Sequence, residues 1–299
     1  NVTSNLQSNG RGGALSTNFT KTNSNGWYYK FQGTLKRMGD FETPKYAMTN
    51  TGFSEHNFSF KAGLNRIDHG FDIYYSLFSN RLGILRSSHA HTAIDIINAI
   101  ENEIPHIIED FSYNINIPRQ KISHNLLKLK AFKNFDFGKL VMRYDFQAND
   151  RKEFDIRRGD SRGKPALDLN LKTHSLAFDL ETKFENNSNF KAGISGRYQK
   201  NFPDPYTGVK RIIPDYKKYD FSIYSIYDIG LSDQWLLEGG IRYDFSHINA
   251  YKYYRTSLWE ARNYDQLFPE IVVEDLGLNI LTNPKFNFNN MSSNLGTRY

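Results

Sequence analysis

Residues 219–246 read Tyr219-Asp220-Phe221-Ser222-Ile223-Tyr224-Ser225-Ile226-Tyr227-Asp228-Ile229, then Gly230-Leu231-Ser232-Asp233-Gln234, then Trp235-Leu236-Leu237-Glu238-Gly239-Gly240-Ile241-Arg242-Tyr243-Asp244-Phe245-Ser246. On both sides of the break the odd positions are mostly apolar and the even ones mostly polar. A period of two is that of a β-strand with two unlike faces, and the break is a tight hairpin. Each arm is about ten residues or longer, the length of a tilted strand crossing a bilayer. The polar face carries Asp220, Asp228, Glu238, Arg242 and Asp244 in place of the Thr and Ser of a solvated sandwich. Apolar outside and charged inside is the pattern of a transmembrane barrel, whose lumen is wet and whose outer wall meets lipid.

The 299 residues suffice for one large barrel or two ordinary domains. Aromatics make up 15% of them, with 19 Tyr and 23 Phe, which excludes a disordered chain. A mean hydropathy of -0.62, with no apolar run near the roughly 18 residues of a spanning helix, excludes a helical membrane protein. A barrel survives both facts, because only alternate strand residues face lipid. There is no Cys, hence no disulfide or thiolate metal site, and no cofactor is expected. The net charge of +6 is scattered, with no basic stripe to engage nucleic acid. No signal peptide opens the chain, as in a mature protein or a fragment.

The texture of 219–246 recurs along the whole length. A weakly alternating strand at Val2 to Leu6 precedes cleaner ones through Phe19, Phe31, Phe60, Ile73, Leu129, Met142, Phe178 and Ile194, and Leu295, Thr297 and Tyr299 close the series. The count is about twelve strands. Short turns and long connections largely alternate, the long ones covering about 39–52, 81–121, 149–169, 201–217 and 247–285. All nine Pro are expected outside the strands, because a ladder in lipid cannot spare N–H groups. Trp27, Phe71, Phe135, Phe137, Phe190 and Trp235 sit beside short turns, where an aromatic girdle belongs. The expected fold is all-β, an antiparallel transmembrane β-barrel.

Three segments carry a resemblance to a known family. Gly39-Asp40-Phe41-Glu42-Thr43-Pro44 with Asn50-Thr51-Gly52-Phe53 is similar to the first long loop of TonB-dependent outer-membrane receptors. Tyr75-Ser76-Leu77-Phe78-Ser79-Asn80-Arg81-Leu82-Gly83-Ile84 and Asn294-Leu295-Gly296-Thr297-Arg298-Tyr299 are similar to later strands of their barrels. The resemblance implies a barrel of about 22 strands occluded by an N-terminal plug. It also implies uptake of an iron chelate (siderophore or haem), vitamin B12 or a glycan, energised by the TonB complex through that plug. The implied setting is the outer membrane of a Gram-negative cell, with lipid, the cargo and a surface lipoprotein as partners. No plug precedes Asn1 and roughly ten strands are missing after Tyr299, so the expectation is part of a larger barrel. A passive porin, a barrel enzyme and a soluble all-β binding protein are the alternatives.

The face opposite the apolar one carries Lys30, Lys36, Arg143, Asp145, Asp179, Glu181, Lys183, Lys191, Arg197, Asp220, Asp228, Glu238, Arg242 and Asp244. These are read as a wet lumen in which opposite charges pair. Within the longest excursion, Ile94, Ile96, Ile97 and Ile100 stand at helical spacing and predict a helix over 92–103, its Ile face packed on neighbouring loops. Arg86, His89 and His91 precede it and His106 follows. A guanidinium and imidazoles at a helix N-terminus suit an anionic iron chelate, and ordinary surface residues are the plainer reading. Tyr206 and Arg211 lie in a Tyr- and Arg-rich loop of the kind found at binding surfaces, and join Arg86, His89 and His91 as candidate ligand-binding residues. Asp150, Asp155 and Asp160 lack the spacing of a calcium loop. Ser88-His89, Ser123-His124, His174-Ser175 and Ser246-His247 are neighbours in sequence, and neighbours on a strand face opposite ways, so no catalytic pair is expected.

Overall fold

The computed structural model describes the chain apart from residues 89–92, 103, 106, 185–187, 233 and 299 and the side chains of residues 93, 95 and 99. In chain order the strands are β1 (Val2–Gln7), β2 (Gly12–Thr22), β3 (Trp27–Met38), β4 (Phe41–Glu42), β5 (Ala47–Met48), β6 (Phe53–Asn65), β7 (His69–Gly83) and β8 (Arg119–Phe135). They continue as β9 (Gly138–Phe154), β10 (Leu167–Lys183), β11 (Asn189–Pro203), β12 (Asp215–Gly230), β13 (Leu236–Arg255), β14 (Val272–Asp275), β15 (Asn279–Thr282) and β16 (Lys285–Arg298). Helices α1 (Ala93–Glu101), α2 (Thr256–Glu260) and α3 (Tyr264–Leu267) lie in the connections.

Each long strand pairs antiparallel with the next, in the order β1-β2-β3-β6-β7-β8-β9-β10-β11-β12-β13, and β16 adds to β13. Setting aside the short β14 and β15, twelve strands form one wall, the number the alternation predicts. No register shift interrupts this ladder among the described residues, so each strand keeps its odd–even division from end to end. The sheet is open: β1 pairs only with β2 and β16 only with β13 among the described residues. Val2–Leu6 does not meet Leu295, as expected, and Tyr299 lies outside the described residues.

The polar face is concave. Side chains from β6 through β16, among them Lys61, Asp72, Arg143, Asp145, Arg197 and Asp244, line one hollow of about 970 Å³. The convex face carries Leu140, Phe178, Leu180, Ile194, Ile223 and Ile241, which border a shallow apolar groove of about 460 Å³. Curvature thus assigns the charged face to the inside, as a barrel wall requires. The lengths agree: from Leu236 to His247 the strand rises roughly 36 Å, or about 28 Å across a bilayer when tilted by about 40°.

Connections sort by rim. The short connections β2–β3, β6–β7, β8–β9, β10–β11 and β12–β13 leave the strands at one end. The longer ones, β3–β6, β7–β8, β9–β10, β11–β12 and β13–β16, with the β1–β2 turn, leave at the other. The turn at 23–26 depends on Gly26, whose φ of 90° and closeness to Asn65 leave no room for a Cβ. Several strands run further than the alternation predicts. β9 continues to Phe154, and β13 continues to Arg255, because β15 pairs with its last four residues. Pro203, expected outside the strands, is the last residue of β11, a strand end where no ladder bond is lost.

Aromatic girdles mark both ends of the convex face. Beside the short turns, Trp27 packs edge-on to Phe71 at 5.7 Å and Phe135 stacks on Phe137 at 5.1 Å. Towards the long connections a second row, Phe146, His174, Tyr198, Tyr219 and His247, runs across β9 to β13 in direct register. The Tyr144 hydroxyl shares a 2.9 Å hydrogen bond with Nδ1 of His174, and Nδ1 of His247 shares one of 2.7 Å with Asn287. Amphipathic rings with a polar tip suit the boundary between hydrocarbon and water.

Ile241→Arg, which puts a charge in the middle of the convex face, is expected to destabilise the protein in bilayers by about 2–4 kcal/mol. Arg242→Ile, one residue along on the concave face, should cost about 1 kcal/mol or less. Reversible urea unfolding from vesicles measures both, and equal costs would contradict the assignment of faces.

Candidate functional site

Two features bear on function: the charged hollow along the middle of the wall and the docked segments at the long-connection rim. In the hollow, acids and bases sit on adjacent strands within reach of one another. Arg143 bonds Asp179, and the Tyr224 hydroxyl donates to the same carboxylate at 2.7 Å. Tyr224 reaches it by lying across Gly193, where any Cβ would strike its ring. Asp220 accepts from Arg197 at 2.7 Å and from Ser246 at 2.7 Å. Arg242 grips Asp244 through two nitrogens at 2.6 and 2.8 Å, while Ser222 donates to it. Lys36–Glu55 and Lys61–Asp72 continue the pattern towards β3. The expected pairing of lumenal charge is present. A wall so neutralised stays hydrated without presenting one dominant sign.

At the rim, the descending segment 107–118 crosses 39–52 and the β1–β2 turn. Asp40, 2% exposed, accepts from the backbone N–H groups of Thr51 at 2.8 Å and Ser112 at 3.1 Å. Asn50, at a left-handed φ of 66°, donates to the carbonyls of Ile84 and Pro118 and accepts from the Asn116 N–H at 2.7 Å. Thr49 accepts from the Glu109 N–H at 2.9 Å. Arg11 stacks on Phe111 at 4.1 Å and pairs with Glu42 at 2.6 Å. Ile115, Met38 and Pro118 are buried beneath. Three buried polar side chains thus substitute for strand partners along an irregular segment.

The five candidate ligand residues are not brought together. Arg86 sits in a 3-10 turn after β7, its N–H donating to the Thr49 carbonyl. His89 and His91, like His106, lie outside the described residues. Tyr206, 85% exposed, is in a 3-10 turn capped by Asp204. Arg211 lies over the Tyr253 ring at 5.6 Å. The connections bearing Arg86 and Arg211 follow β7 and β11, four strands apart and so roughly 19 Å along the sheet. The helix at α1 forms as predicted, but its packing does not. Ile94 is 68% and Ile100 79% exposed, because the rim contacts are made by 107–118 instead.

Sequence reading missed the environment of Arg211. With Lys210, Lys252, Arg255, Tyr251 and Tyr253 it lines a cavity of about 730 Å³ that has no Asp or Glu in its wall. Along β13 its wall takes Tyr251, Lys252, Tyr253 and Arg255, and the connections at 205–214 and 277–279 complete it. On the other side of β13, Tyr254 packs on Trp259 at 5.1 Å, and Trp259 on Tyr264 at 5.3 Å. Continued alternation through 251–255 is the signal that identifies these residues as strand. Among the described residues no group of His, Asp and Glu is placed to hold a metal ion. His174 and His247 face outward in the girdle while Ser175 and Ser246 face the hollow, which removes those Ser–His pairs as catalytic candidates.

The chain matches no protein-family model and no curated protein by sequence. By structure it is similar to the open form of the ferric-catecholate import receptor Fiu from E. coli K12, with a TM-score of 0.61 and 11% identity over 96% of this chain and 50% of that one. It is similar to the unliganded ferric citrate transporter FecA, with a TM-score of 0.59 and 11% identity over 97% of this chain and 39% of that one. The copper transporter OprC gives a TM-score of 0.56 and 11% identity, covering 96% of this chain and 40% of that one. The fold is therefore that of a TonB-dependent receptor barrel, as the sequence resemblance implies. The chain spans half or less of the length of these structures.

Asp40→Ala leaves two buried N–H groups without an acceptor, at about 1–3 kcal/mol each. The expected result is faster amide exchange over 107–118, with exchange in β8 to β13 unchanged. Uniform acceleration across the sheet would show that Asp40 supports the wall and not the docked segment.

Proposed function

We propose that this chain is the barrel portion of an outer-membrane receptor that takes up a scarce nutrient, an iron chelate before other large ligands, energised by TonB through a plug seated in the hollow. The carrying observation is a wide concave wall of paired charges beneath a rim that holds every long connection. A hollow lined in this way offers a polar plug many weak contacts that exchange readily for water, as a plug that must shift requires. The structural likeness to Fiu and FecA, both iron-related by name, supports the cargo class. The likeness to a copper transporter is consistent with one wall serving different cargoes, and selection is assigned to the loops.

On this reading the long connections are extracellular and the convex face meets lipid. The edges of β1 and β16 then need strand partners, since each unpaired backbone group in hydrocarbon costs several kcal/mol. Capture is assigned to Arg86 with His89 and His91, to the exposed Ile face of α1 and to Tyr206. The cations attract an anionic chelate, and the apolar side chains cover its organic periphery.

Deleting residues 88–103 from the full-length protein should abolish binding of a radiolabelled ferric chelate while leaving heat-modifiable barrel mobility unchanged, because no strand is touched. Unchanged binding would move capture elsewhere. A steady ion conductance from the full-length protein in planar bilayers would favour a passive porin.

A further inference from the structure

Taken whole, the concave wall is of mixed sign, but its cations are not spread evenly. The concave positions of β3, β6, β7 and β8 carry Lys30, Lys36, Lys61, Lys128 and Lys130 against Glu55 and Asp72. Lys30 stands directly opposite Lys61, and Lys130 directly opposite Arg143. Opposed like charges destabilise a sheet. Two of the four are answered, Lys61 by Asp72 at 3.2 Å and Arg143 by Asp179. Asp72 also stands opposite Lys130, but its ion pair is with Lys61. Among the described residues Lys30 and Lys130 are left with no ion pair and no side-chain hydrogen bond. Across β10 to β13 the arrangement differs. Lys191, Arg197 and Arg242 are matched with Glu181, Asp220 and Asp244, and the opposed like charges are acids, Asp228 and Glu238.

The basic side also continues towards the short connections. Lys61, Lys128 and Lys130 line the main hollow, and Lys61 and Lys130 join Lys30 in the wall of a second cavity of about 510 Å³. Asp72 is the one acid in that wall, which reaches Gly26 and Asn65 beside the short turns. Tyr28 lies across Gly63 and Phe132 across Gly70, where a Cβ would strike each ring, so two aromatic side chains floor the cavity. A cleft lined by one sign of charge between low-dielectric walls concentrates the opposite ion. Passage needs sites that attract without holding. Ammonium groups that turn freely in water meet that need better than ones already locked to a carboxylate.

We propose that an anionic, carboxylate-bearing solute crosses the lumen along β3 to β8, passing from Lys128 and Lys130 to Lys61 and Lys30 and leaving at the short-connection end. This rests on the uptake reading above and adds to it the side of the wall along which cargo moves. Asp228 and Glu238 repel the same solute from the other side.

The test uses the full-length protein in planar bilayers of neutral lipid, its lumen opened by urea at a concentration that leaves heat-modifiable mobility unchanged. Trimesate, a flat trianion, is the probe, and block of the KCl current is the readout. The wild type should be blocked, and combined Lys30→Gln, Lys61→Gln and Lys130→Gln should weaken the block about tenfold or more. The corresponding three Arg substitutions should keep it, and Lys191→Gln with Arg197→Gln on β11 should leave it unchanged. An unblocked wild type, an unchanged block in the Lys30, Lys61 and Lys130 variant, or equal loss in the β11 variant would overturn the proposal. Steady current before urea would count instead against a seated plug. Failure of the uptake reading and failure of the lysine track are therefore read separately.

Discussion

A backbone in hydrocarbon has no water to bond with, so each N–H and C=O must find a partner in the next strand. Everything else in this structure follows from that ladder being unbroken. From β1 to β13 and on to β16 the registers run without a shift, and a strand without a bulge cannot exchange its faces. A single decision at Ile241 and Arg242 therefore propagates from Trp235 to Arg255. Irregular backbone is driven out of the wall and collects at the rims, and nearly all of it at one rim.

The two faces manage charge in opposite ways. Inside, Asp179, Asp220 and Asp244 each hold a cation from their own or an adjacent strand with a hydroxyl as a second donor, while Asp228 and Glu238 are met by asparagine amides. Such exposed pairs contribute little stability each, and their use is to keep a wide hollow wet and of mixed sign. Outside, the middles of β3 and of β6 to β13 are largely apolar, aromatic rings mark both boundaries, and ion pairs such as Lys152–Asp168 stand beyond the ring row. The same residue type thus has different work on the two sides, set by whether water or lipid lies opposite.

The rim shows how a long connection is held without a ladder. Segment 107–118 is irregular, yet its backbone groups are met by Asp40, Thr49 and Asn50 from 39–52. Those three are buried and short, and each serves neighbouring backbone in place of a strand. The helix earlier in the same excursion is left with its Ile face outward, so the buried contacts of this connection are made by 107–118.

The sequence alone determined the strands, the faces and the alternation of short and long connections, because period two in residues such as Tyr219 to Ile229 is a local property of adjacent side chains. It also determined the helix at 93–101, where Ile spacing is equally local. Which carboxylate each cation holds, as Arg143 holds Asp179 and Arg197 holds Asp220, came from the tertiary structure, since partners on adjacent strands are set by register. The docking of 107–118 was hidden because Asp40 and Ser112 are far apart in the chain and carry no periodic signal. The place of Arg211 was hidden for the same reason: its partner Tyr253 lay in a stretch read as loop, though alternation continues through it, and the two are far apart in the chain. That Lys30 stands opposite Lys61 is known only from register, because cross-strand neighbours are set by hydrogen bonding and not by sequence distance.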